Sequence, residues 1–257
     1  VDRLPAIDAW TVLALLATGV AGGMVSYLVS LASLVTYPAL LALGLPPVSA
    51  NVTNTVALTF NSVGAGVGAR SELTGQRPLL LRVGVSAAAG AATGAVLLLL
   101  LPDRSFELVA PVLIGAASLL ILVQPRLQRI ARLAPRGITP RTAATYFATA
   151  IYIGYFGAAG GLLAIVSLAM IIDRPLHEVN AAKAVLAGLA NGAAAIGFTL
   201  FGPVHWTFVV PLAIGLFLGG LIGPPIARRM PAKVFRGLIS VCGLGVAAVL
   251  AWRTYAA

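Results

Sequence analysis

Ten stretches of apolar residues follow one another between short polar joints, and most are roughly twenty residues long. They cover 10–29, 33–43, 48–70, 78–101, 106–123, 142–158, 161–172, 176–201, 206–227 and 234–252. A bilayer core takes about 20 residues of helix to cross, and helices satisfy their backbone groups internally. Only 9% of the residues are charged, against about 25% in a soluble domain. The expectation is an all-α polytopic membrane protein. Segments 33–43 and 161–172 are too short for ordinary spans, so whether they span or re-enter stays open.

Charge sets the expected partners and the orientation. A formal +10 would suggest nucleic acid in a soluble chain, but here the arginines collect in the joints between apolar runs. In that position they orient a membrane protein with its cationic loops in the cytoplasm. Nucleic acid is therefore not an expected partner, whereas membrane lipid is. Cys242, the only cysteine, excludes an internal disulfide and a cysteine-based metal site; within its Gly/Val/Ala run it reads as a small buried hydrophobe. The first apolar run is too long for a signal-peptide core, so no cleavable leader is expected.

The two halves resemble each other at a fixed spacing of 129 residues, which pairs Pro46 with Pro175, Asn51 with Asn180, Gly90 with Gly219, Gly94 with Gly223, Pro102 with Pro231 and Phe106 with Phe235. Charge gives the geometry. The joint after the third run carries Arg70, Arg77 and Arg82, but the corresponding joint at 201–205 carries no arginine or lysine. Conversely, the nearly neutral joint at Asp103 and Arg104 corresponds to one surrounded by Arg228, Arg229, Lys233 and Arg236. Corresponding loops then face opposite sides, so the repeats are inverted. The expected organisation is a first repeat at 1–123, a basic cytoplasmic linker at 124–141 and an inverted second repeat at 142–257, each of about five apolar segments.

Inverted repeats with broken or re-entrant helices at matching places describe many secondary transporters, whose sites lie near the midplane. The interruptions here are 30–33 and 159–161. Gly160 and Gly161 would open a helix whose free N–H groups and positive dipole end face an anion; the alternative is that they only permit tight helix crossing. Lys183 lies about one turn into an apolar segment, and an ionisable residue there is a functional hypothesis by default. It can otherwise snorkel to the interface or pair with Glu178. A titratable amine inside a membrane also leaves proton coupling open.

Asn180 lies three residues before Lys183. Asn51, Asn54 and Asn61 form a polar stripe on one helix face, suited either to a substrate path or to interhelical hydrogen bonds. The candidate substrate-binding set is Lys183, Asn51, Asn54, Asn180, Gly160, Gly161, Ser30 and Ser33. His177 and His205 sit at segment ends and read as interfacial. Without a nucleophile–base set, paired acids or a metal-ligand cluster, the chain is not expected to be an enzyme or to hold a metal. The Gly223-Pro224-Pro225 run should end or kink the ninth segment.

Residues 34–47, reading LVTYPALLALGLPP, with the following ANVTNTVA at 50–57, resemble the sulfite exporter TauE/SafE family. So do YFGAAGG at 155–161 and NAAK at 180–183. The resemblance covers nearly the whole chain. It implies a multi-pass permease of the bacterial inner membrane, moving sulfite, organosulfonates or related sulfur-containing anions, often outward and without a cofactor. Where members of that family carry a glycine triplet, this chain has Ser30-Leu31-Ala32. The first cradle would then be tighter and bear the Ser30 and Ser33 hydroxyls. The expected function is alternating-access transport, with a passive anion channel as the alternative and an intramembrane enzyme as a weaker one. Anion identity, direction, coupling ion and oligomeric state stay open.

Overall fold

A computed structural model describes residues 7–133, 137–157, 160–227 and 232–255. Among these residues the chain forms ten helices: α1 Ala9–Val29, α2 Ser33–Ala42, α3 Pro47–Gly68, α4 Arg77–Leu100, α5 Asp103–Leu133, α6 Pro140–Tyr155, α7 Gly160–Ala169, α8 Leu176–Phe201, α9 Trp206–Ala227 and α10 Ala232–Tyr255. Each apolar run of the sequence became one helix. Five of them (α1, α4, α5, α8 and α9) are long and apolar enough to cross a membrane.

Local chemistry accounts for the helix ends. Asp8 caps α1 by accepting the Thr11 N–H at 2.8 Å. Thr139 and Thr142 form a capping box at the start of α6, bonding each other's backbone N–H. Proline precedes or opens α3, α4, α6 and α8, where its missing N–H costs nothing. The breaks are different. Ser30 ends α1 in the left-handed region (φ 66°), and Gly157 follows α6 at φ 74°. For glycine that conformation carries no steric penalty, but for serine it is strained by roughly 1–2 kcal/mol.

Three expectations need adjusting. α9 runs through Pro224 and Pro225 to Ala227. Their missing N–H groups forfeit two helical bonds without ending the helix at that point. α5 continues to Leu133, which makes the first part of the basic 124–141 stretch helical. Cys242 is exposed on α10 rather than buried.

Packing is interleaved along the chain. α1 lies on α9 and α4 on α6, while α3 and α8 pack on each other, α3 also against α9 and α8 against α4. α5 and α10 pair at one side. Small residues make the closest crossings. A β-carbon on Gly23 would lie 2.7 Å from the backbone of Gly220, and one on Gly19 2.9 Å from the Gly215 Cα. Gly94 and Gly154 seat α4 and α6 against each other just as closely. Backbone contact of this kind is how helices associate in lipid, where apolar side chains gain nothing by leaving the solvent. The outward faces carry Leu81, Val85, Leu100, Val112, Leu119, Val241 and Trp252, all exposed. Beside the breaks, Tyr37, Phe106 and Phe156 form an edge-to-face aromatic cluster, with centroids 5.5 Å (Tyr37–Phe156) and 5.4 Å (Phe106–Phe156) apart.

Candidate functional site

The two helix breaks meet. Gly161, in the first turn of α7, faces Ser30 so closely that a β-carbon on the glycine would lie 2.9 Å from the serine's carbonyl oxygen. Gly160 faces the Ile153 side chain, and its N–H donates to Gly157 O at 3.0 Å. Beside this meeting point lies a cavity of about 50 Å³, several times the roughly 10–15 Å³ that one water requires. Its polar lining comes from Ser26, Ser30, Ser33, Asn61, Ser62 and Asn191, together with Lys183.

Lys183 sits on α8 and is only 3% exposed. Its Nζ donates to Ser30 Oγ at 3.0 Å and to Ser26 O at 3.0 Å, and lies 5.9 Å from the centre of the Tyr27 ring. Both hydrogen-bond acceptors are neutral, and no acidic residue is among the described residues lining the cavity. Glu178, considered above as a partner, instead pairs with Arg174 at 2.7 Å. Snorkelling does not describe this lysine either, because its amine ends inside the bundle. An ammonium has three N–H donors, and two are used here.

The asparagines are placed differently. Asn54 on α3 is held at both ends of its amide: Oδ1 accepts from Thr36 Oγ1 at 2.5 Å and Nδ2 donates to Ser33 Oγ at 3.2 Å. Asn51 Nδ2 donates to Tyr155 O at 3.0 Å, tying α3 to the end of α6. The Oδ1 atoms of Asn51 and Asn180 are buried without a hydrogen-bond partner. Of the eight candidate residues, Lys183, Ser30, Ser33 and Gly161 therefore share the cavity; Asn51, Asn54, Asn180 and Gly160 are not among its lining residues.

Ser26, Ser62, Asn191 and Gly157 also line the cavity without having been singled out as site residues. Asn61 was visible in the polar stripe of α3, and its Nδ2 donates to Ser26 Oγ at 2.8 Å. Ser26 had no such signal. Its carbonyl already accepts the helical bond from Ser30 N–H and becomes a lysine acceptor only because α1 stops there.

A buried cation with an unused donor, small hydroxyl-bearing neighbours and the first turn of a broken helix together suit a small anion. Among the described residues, no group of His, Cys, Asp and Glu is arranged to hold a metal.

Comparison with known proteins gives a consistent picture. A model of the family described as Sulfite exporter TauE/SafE matches residues 15–250. The chain is 26% identical over 220 residues to the probable membrane transporter protein ORF9 of Sinorhizobium sp., covering 83% of this chain and 82% of that one. It is 23% identical over 223 residues to the probable membrane transporter protein YfcA of Escherichia coli K12, covering 86% and 82% respectively. No solved structure matches.

Proposed function

This chain belongs to the sulfite exporter TauE/SafE family of membrane transporters, and from that premise we propose that it carries a small sulfur-containing anion, sulfite or an organosulfonate, across the bacterial inner membrane by alternating access, in the outward direction. The observation that carries the reading is Lys183, buried at the helix breaks and bonded only to neutral oxygens. The amine supplies the countercharge. Ser30, Ser33 and the first turn of α7 at Gly161 complete the cradle. Asn54 holds Ser33 and Asn51 anchors the end of α6; Asn180 and Gly160 do not line the cavity.

The repeat of helix starts and contacts supports a reading as inverted halves, and with it the mechanism. α3, α4 and α5 begin at Pro47, Arg77 and Asp103, and α8, α9 and α10 begin at Leu176, Trp206 and Ala232, each pair 129 residues apart. The contacts exchange in the same way: α1 on α9 corresponds to α6 on α4, and α3 on α9 to α8 on α4. Two such halves can present one site alternately to either side by rocking about a common interface.

Flux in proteoliposomes tests the reading. Lys183→Ala should abolish sulfite and sulfonate flux while the protein stays folded; undiminished flux refutes the role. Trans-stimulation by substrate on the far side distinguishes the carrier from a channel, which need not show it.

A further inference from the structure

The repeat could have supplied the site with two cations, and it supplies one. The position 129 residues before Lys183 is Asn54, a neutral amide whose oxygen and nitrogen are both engaged, by Thr36 and Ser33. Both residues reach the first break, where Lys183 donates to Ser30 and Asn54 to Ser33. Both serines line the same cavity. Among the described residues lining it, Lys183 is the only charged one. We propose that the site selects by charge number: it accepts singly charged anions, such as sulfonates and hydrogensulfite, and discriminates against dianions of the same size, such as sulfate and thiosulfate.

The physical argument is one of compensation. In a cavity of about 50 Å³, an anion loses most of its water and must replace it with protein groups. One ammonium neutralises one charge. A second charge would be left with hydroxyls and amides alone, and an uncompensated charge in a poorly solvated site is heavily penalised. The hydroxyls of Ser30 and Ser33 can donate to further anion oxygens, but they add no net charge. Sulfonate and sulfate provide a clean pair. Both are tetrahedral about sulfur, and they differ in replacing one charged oxygen by carbon.

This inference rests on the transport reading, and the experiment separates the two. Purified protein in proteoliposomes is given methanesulfonate, sulfate and thiosulfate at one pH, with uptake and heat of binding measured for each. The expected result is methanesulfonate binding at least tenfold tighter than either dianion. Asn54→Lys, which places a cation at the matching position of the first half, should narrow that ratio by favouring sulfate; thermal unfolding establishes whether the variant is folded, and the wild-type ratio decides the matter alone if it is not. Sulfate bound as tightly as methanesulfonate overturns charge selection and leaves the transporter reading standing. If neither these three nor sulfite binds or moves, the transport reading fails and takes charge selection with it.

Discussion

Gly161 and Ser30 stand in backbone contact: a β-carbon on the glycine would lie 2.9 Å from the Ser30 carbonyl oxygen and 3.1 Å from its Cβ. Neither atom belongs to a flexible side-chain end, so the contact yields only if a helix break moves. Gly161→Val should therefore separate the breaks, lower stability by about 1–3 kcal/mol and reduce anion flux severalfold. Thermal unfolding in detergent and flux in vesicles measure the two effects. Normal flux in a folded variant would show that the breaks need not touch.

Lys183→Met separates stability from function. The ammonium is buried among neutral partners, and exchanging buried charge for an apolar side chain of similar volume is often neutral or stabilising by about 1–4 kcal/mol. Ser26 O keeps its helical bond from Ser30, so no acceptor there is orphaned. The expected outcome is an unfolding temperature equal to or above that of the wild type, with anion flux lost. A variant that unfolds well below the wild type would identify the lysine as a structural strut.

Ser30→Gly acts on the same pair from the other side. The left-handed conformation of Ser30 (φ 66°) costs a serine about 1–2 kcal/mol relative to glycine, so relief raises the unfolding temperature by a few degrees. The substitution also removes an acceptor of Lys183, and anion affinity should change with it. A lower unfolding temperature would mean that the lost hydroxyl outweighs the relieved strain.

Gly219→Leu tests the crossing of α1 and α9. A β-carbon at Gly219 would already lie 2.9 Å from the Gly23 Cα, and a leucine would force the helices apart. The yield of folded, monodisperse protein should fall sharply on size-exclusion chromatography, whereas Val241→Leu on an exposed face should leave it unchanged.

Most of the fold was legible because each apolar run is bounded by proline, glycine or charge. The end of α5 was not, since Arg126 and Arg129 read as a loop although the stretch continues as a helix. Cys242 was misread for a related reason: in lipid, outward-facing and buried positions are equally apolar, so composition does not say which way a small residue points. Lys183 stood out because a charge inside an apolar run is rare. Its acceptors could not be read, because Ser26 and Ser30 lie 157 and 153 residues away and are brought to it only by tertiary packing. Asn54 illustrates the opposite limit. A polar residue on a helix face announces that it needs partners, but not whether they are a solute or Thr36 and Ser33.

The pairing of α1 with α9 also governs how the protein is made. α1 leaves the ribosome well before α9, yet the glycine face it needs arrives only with Trp206–Ala227, on the order of ten seconds or more later at ordinary elongation rates. Through that interval the nascent helix stays in the bilayer with its small-residue groove open to lipid or to an insertase. Slowed translation ahead of α9 would lengthen that exposure, so the chain's vulnerability to quality-control proteases belongs to its synthesis as much as to its finished state.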